Sequence, residues 1–239
     1  NKITIFKGSV TAKDKKNNIL SSEYAEYNKL GEVIETKGDT KIITSEGYEV
    51  FSSDVVFDNK KNKIYSNYNT TIIDKDGNNI LVDMFSYSTL TKIFFSKGNI
   101  KIKDINDNEY NFSEIYIDES KKKIIGSDIK AHLKQEGISI NSGNDPRFFA
   151  NTMSLSKKVN TFDKGVFTYC KNRENEKCPP WTLQSKKIRH DLAKKTIYYD
   201  NVVLKVYDFP IFFSPKFSHP DPTVKRQSGL LAPSLTNST

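Results

Sequence analysis

Arginine, glycine, proline, histidine, cysteine and tryptophan are all scarce in this chain of 239 residues. With 11 Gly and 8 Pro, collagen-like and proline-rich low-complexity readings fail. Sparse glycine also removes the phosphate-binding loop, and no G-K-[ST] occurs. The histidines His132, His190 and His219 are isolated in sequence. His190 has Asp191 as an orienting neighbour, but no G-x-S-x-G serine accompanies the pair. His219 and Asp221 lie in a proline-rich segment that reads as a rigid turn. No catalytic constellation remains, so the expectation is a non-enzyme with no cofactor and no metal site. Apolar runs such as Val202, Val203, Leu204 and Ile211, Phe212, Phe213 fall far short of the ~20 residues of a membrane-crossing helix. No signal peptide stands at Asn1. The chain opens without Met inside a strand-like pattern, so the reading is a section of a longer polypeptide.

Lysine, asparagine, isoleucine and aromatics are plentiful. Lys+Arg number 37 against 29 acids, a formal net charge of +8, yet arginine stands only at Arg147, Arg173, Arg189 and Arg226. The lysines are spread along the whole chain and cluster with no aromatic patch, which counts against a nucleic-acid partner. The Lys/Asn/Ile bias is what AT-rich codons produce. The 12 Tyr and 15 Phe argue for a packed core rather than disorder.

A 30-residue period organises the first half. Gly8, Gly38 and Gly98 share one column, with Tyr68 at the intermediate node. Further columns are Ala12, Ile42, Ile72, Ile102; Leu20, Val50, Ile80, Tyr110; Ala25, Val55, Phe85, Ile115; Tyr27, Phe57, Tyr87, Ile117; and Ile34, Ile64, Phe94, Ile124. Apolar positions two apart within each unit give strand periodicity. Asx- and Gly-rich clusters near 14–18, 45–47, 74–79 and 104–108, and near 28–31, 58–62 and 119–122, read as two sets of turns. The odd spacing between the Leu20 and Ala25 columns predicts a bulge or corner in mid-strand. No long segment has helical spacing. The expected fold is all-β, an elongated jelly-roll or folded-sheet stack of about 30-residue repeats. Ile42, Val50, Phe57, Ile64, Ile72, Ile80, Phe85, Tyr87, Phe94 and Ile102 either fill a closed core or line an open apolar trough; both produce the same alternation. The first strand is an edge to which another β protein could add a strand.

The period fades after about Ile129. Two cysteines, Cys170 and Cys178, flank a polar insert; a disulfide, a metal half-site and free thiols all fit two cysteines. The spacing is not C-x-x-C and no His adjoins them, which disfavours zinc. Pairing, with each other or with cysteines elsewhere, requires an oxidising compartment. Pro210 and Pro215 lack ladder donors and weaken any strand pairing they join.

The runs Cys178-Pro179-Pro180-Trp181, Lys186-Lys187-Ile188-Arg189-His190-Asp191 and Lys195-Thr196-Ile197-Tyr198-Tyr199 resemble the lipopolysaccharide-assembly (LptD, or organic-solvent-tolerance OstA) family. Pro210-Ile211-Phe212-Phe213-Ser214-Pro215 and the stretch from Phe217 through His219-Pro220-Asp221-Pro222 to Gly229-Leu230-Leu231-Ala232-Pro233 are more specific, and resemble alphaproteobacterial members. The upstream repeats are similar to the family's OstA-like β repeat, which soluble relatives (LptA, LptC) share. The resemblance implies repeats of a periplasmic jelly roll at 1–130, its cysteine-containing C-terminal part at 131–200, and the start of an outer-membrane β-barrel at 201–239. It implies transport of lipopolysaccharide with no chemistry, acyl chains in an apolar trough formed by the ten residues above, and a lateral gate weakened by Pro210 and Pro215. Cys170 matches a family cysteine that ties the periplasmic domain to the barrel; Cys178 departs from that pattern and leaves a local 170–178 bond open. Implied partners are lipopolysaccharide, an LptA-like bridge protein at the edge strand, and an LptE-like lipoprotein and the outer membrane through the barrel. The rival readings are a soluble bridge protein, a β-solenoid adhesin or stalk with a dry core, and a polysaccharide-active enzyme.

Overall fold

A computed structural model of the chain describes residues 3–14, 17–105, 107–132, 145–156, 158–170 and 180–220. Among them there are strands and turns and no helix, and every registered pairing is antiparallel. The all-β expectation is met. The chain divides into two compact units, 1–131 and 132–239.

The first unit is a meander of long strands, most of them broken or kinked near the middle. They are β1 (Ile3–Lys13), β2 (Ile19–Asn28), β3 (Val33–Thr36) with β4 (Asp39–Ile43), β5 (Glu49–Ser53) with β6 (Val56–Asp58), β7 (Lys63–Ser66) with β8 (Thr70–Ile73), β9 (Asn79–Val82) with β10 (Phe85–Ser88), β11 (Ile93–Lys103), β12 (Glu109–Asp118) and β13 (Lys123–His132). The two halves of each broken strand pair with matching halves of their neighbours: β4 with β5 and β3 with β6, then β5 with β8 and β6 with β7. The result is one ladder folded along a line into two walls.

Backbone conformation follows the 30-residue period. Left-handed residues stand at Gly8, Gly38, Gly98 and Asp128 on the fold line; at Asn17, Gly47, Gly77 and Asp107 in the turns of the first wall; and at Glu32, Asn62, Lys92 and Lys122 in the turns of the second. First-wall turns are closed by a side chain four residues back. Asp14, Asp74 and Asp104 each accept the N–H of Asn18, Asn78 and Asn108 at 2.9 Å. In the second wall Asp58 and Asp118 accept the N–H of Lys61 and Lys121, also at 2.9 Å. Successive second-wall turns are tied by backbone bonds from Asn59 to Glu32, Thr89 to Asn62 and Glu119 to Lys92.

At the fold line side chains switch parity, as the odd column spacing required. Ser52 and Val55, Val82 and Phe85, and Phe112 and Ile115, each pair three residues apart, all point inward and are buried. Breaking the ladder there strands backbone groups, and buried hydroxyls take them up. Thr36 accepts the N–H of Val55 at 2.9 Å, Ser66 donates to the carbonyl of Ser53 at 2.6 Å, and Ser96 donates to that of Met84 at 2.7 Å. Gly98 has φ 112, and a Cβ there would meet Asp83 Oδ2 at 2.6 Å, an atom already accepting from Asn99 N at 2.7 Å. Gly98→Ala should cost about 1–3 kcal/mol. Gly38→Ala, with nothing within 4 Å of its Cβ, should cost less. Thermal unfolding of the two variants checks the order.

The second unit repeats the bent-strand pattern in β14 (Asp145–Leu155), β15 (Val159–Cys170), β16 (Trp181–Asp191), β17 (Thr196–Val206) and β18 (Phe209–Pro220), with left-handed residues in mid-strand at Lys164 and Asn201. Its core is Trp181, Leu183, Ile188, Tyr199 and Val202, with Phe148, Phe162 and Phe217 against it. Tyr199 Oη and His219 Nε2 lie 2.9 Å apart inside this core, and His219 Nδ1 lies 2.6 Å from the carbonyl of Pro220. That carbonyl only accepts, so Nδ1 carries a proton; in the neutral ring Nε2 then accepts from the tyrosine. Cys170 lies in β15, whereas Cys178 falls outside the described residues. β17 runs continuously across position 200.

Candidate functional site

Register turns the sequence columns into two continuous apolar strips on the inner side of the first unit. On the first wall the cross-strand neighbours run Leu20, Ile42, Val50, Ile72, Ile80, Ile102 and Tyr110. On the second they run Tyr27, Ile34, Phe57, Ile64, Tyr87, Phe94 and Ile117. Each strip holds the last inward residues before the turns, so each lies directly under a rim.

The strips differ in burial. Leu20, Ile42, Ile72 and Ile80 of the first are buried, and Val50 and Ile102 half-buried. Every residue of the second strip is half-buried. Of the residues expected from the sequence, Ile42, Val50, Ile72, Ile80 and Ile102 thus fall on the first strip, and Phe57, Ile64, Tyr87 and Phe94 on the second. Phe85 sits beside the fold line, buried, its ring stacked at 6.2 Å on that of Phe94.

The tyrosines put an apolar body in the strip and a polar tip at the rim. Burial raises the Tyr87 hydroxyl well above its ordinary value, assisted by its donation to Glu119 at 2.9 Å. Glu46 and Tyr48, in a turn of the opposite wall, push the same way, so the rims face each other there. Burial and the Asp104 carboxylate raise Tyr110 to about 12. All of these hydroxyls stay neutral at physiological pH.

The turns separate charge. In the second to fourth repeats the first-wall turns carry Glu46, Asp74, Asp76, Asp104 and Asp107 against one cation, Lys75. The second-wall turns carry Lys60, Lys61, Lys92, Lys121 and Lys122. Of their acids, Asp58 and Asp118 are occupied as turn caps, with side chains 8% and 20% exposed, and Glu119 accepts from Tyr87 at 2.9 Å. Neither this segregation nor the buried hydroxyls emerged from the apolar columns, although Thr36, Ser66 and Ser96 are themselves 30 apart.

An open cavity of about 750 Å³ along the fold line is lined by polar residues such as Ser9, Glu23, Asp39, Lys41 and Ser53 together with Val10 and Phe51. Among the described residues no group of three or more His, Cys, Asp or Glu is placed to hold a metal ion. In the second unit Pro210 lies opposite Lys205, next to a register shift, and Pro215 lies between the pairs Val202–Ser214 and Asp200–Lys216. Phe209, Ile211, Phe212 and Phe213 around them are exposed.

No family model matches the chain. Among curated proteins, it is similar to the LPS-assembly protein LptD of Alcanivorax borkumensis, 36% identical over 87 residues. That alignment covers 36% of this chain and 11% of the relative, so the chain spans a small part of the protein it matches.

Proposed function

We propose that this chain is the periplasmic portion of an LptD-like lipopolysaccharide-assembly protein, and that its folded sheet carries acyl chains toward an outer-membrane barrel. The observation that carries the reading is the second-wall strip, an apolar row crossing seven neighbouring strands and left half-buried throughout. Burying acyl chains on it is worth about 0.8 kcal/mol per CH₂, so transfer proceeds between surfaces of similar apolarity. The partial likeness to an LptD supports a lipopolysaccharide-related role. The task is transport, without catalysis or cofactor.

In this reading β1, which among the described strands is registered with β2 alone, receives a strand from an LptA-like bridge protein. The barrel begins after position 200, Pro210 and Pro215 weaken its lateral gate, and an LptE-like lipoprotein joins through it. Cys170 and Cys178 pair locally or with cysteines elsewhere in the polypeptide, as an oxidising periplasm permits. A photo-crosslinking amino acid at Phe57, Ile64 or Phe94 should capture lipopolysaccharide in cells, while outward Glu35 or Tyr65 should not. Capture from the outward positions alone would sink the assignment.

A further inference from the structure

We infer that the second-wall turns are a phosphate-engaging rim, so that the bound amphiphile leans its anionic headgroup over that wall and away from the other. The inference rests on the lipid-carrying reading above and adds the headgroup chemistry and its orientation. Two independent observations converge on one wall. Its apolar strip is the half-buried one, and its turns hold the excess of cations. Lys61 and Lys121 have side chains 77% exposed; their ammonium groups reach Asp58 and Asp118 at 3.0 and 3.2 Å, but those carboxylates also hold the turn N–H groups. Lys60 donates to the carbonyl of Leu30 at 2.6 Å, bringing its charge alongside the preceding turn. Each of the three turns thus holds at least one cation, Lys60 and Lys61, then Lys92, then Lys121 and Lys122, along the rim next to Phe57, Ile64 and Phe94. The opposite rim has an excess of acids, Glu46, Asp76 and Asp107 against Lys75, with Asp107 paired to Lys103 at 2.8 Å. A phosphate is therefore attracted by one rim and repelled by the other. Mixed rims would hold a lipid in either sense; segregated rims choose one.

The test uses the full chain and two probes with the same acyl chains, a lipid A carrying phosphates and its dephosphorylated form. The triple variant Lys60→Gln, Lys61→Gln, Lys121→Gln should bind the phosphorylated lipid about tenfold more weakly, the scale of a charge-assisted contact or two. It should bind the dephosphorylated lipid as before. Glu46→Gln with Asp76→Asn should keep or tighten binding of the phosphorylated form. On the unaltered chain, raising salt should weaken only the phosphorylated lipid, a measurement independent of whether any variant folds. Equal losses for both lipids, or equal damage from the acidic-rim variant, would overturn the rim and leave the trough standing. Failure of the unaltered chain to bind either lipid would remove both.

Discussion

Phe57→Asp should weaken acyl-chain binding by about a hundredfold or more and leave the fold in place. Phe57 lies mid-strip, between Ile34 and Ile64 on the neighbouring strands. An acyl chain laid across the strip would dehydrate the new carboxylate, and an unpaired buried charge costs several kcal/mol; about 2.7 kcal/mol already corresponds to a hundredfold. The unliganded protein bears little of that cost, because position 57 is half-buried and the carboxylate keeps contact with water. Phe57→Leu keeps the apolar surface and should bind within a few-fold of the original. Titration with a fluorescent lipid reads the affinity, and circular dichroism the fold. Undiminished binding by the aspartate variant would remove the strip from the lipid's path.

Trp181→Ala should cost the second unit about 3–5 kcal/mol, a large part of the 5–15 kcal/mol typical of a domain. Trp181 is 3% exposed, makes an edge contact with Phe167 at 6.1 Å, and packs in the cluster with Leu183, Ile188, Tyr199 and Val202. The bond from Thr168 Oγ1 goes to its carbonyl at 2.6 Å and survives the substitution, so the loss measures packing and cavity alone. Trp181→Phe should cost clearly less. Because the chain holds one tryptophan, the loss is best followed by hydrogen exchange in β16 and β17. Unchanged protection there would show that the cluster is not the centre of the unit's stability.

The apolar columns were legible because burial on one face of a strand forces period-two alternation, and a repeating unit forces columns. The corner was legible as the odd step from Leu20 to Ala25. Ser66, Ser96 and Thr36 were not, because serine and threonine usually mark solvent; here they replace ladder partners lost at the fold line. The difference between the two strips was invisible too, since Ile72 and Ile64 alternate alike while one is buried and the other half-buried. That outcome depends on how the walls lean, a property of the folded ladder rather than of any residue. Charge segregation stood in the sequence, but only assigning each turn to a wall made it readable. Whether Cys170 pairs with Cys178 turns on Cys178, which, like the motif from Asp221 to Pro233, lies outside the described residues.

The turn-to-turn bonds of the second wall give the protein a unit of length. Each 30-residue repeat brings two strands, and strands lie about 4.8 Å apart, so one repeat extends the strip by about 10 Å without altering its cross-section. Gain or loss of a whole repeat re-forms the same bonds at the splice, as Asn59 to Glu32 and Thr89 to Asn62 already do one after the other. Any other insertion shifts the left-handed positions off their turns. The distance such a sheet can bridge therefore varies in steps, by duplication, while the surface it offers along the way stays constant.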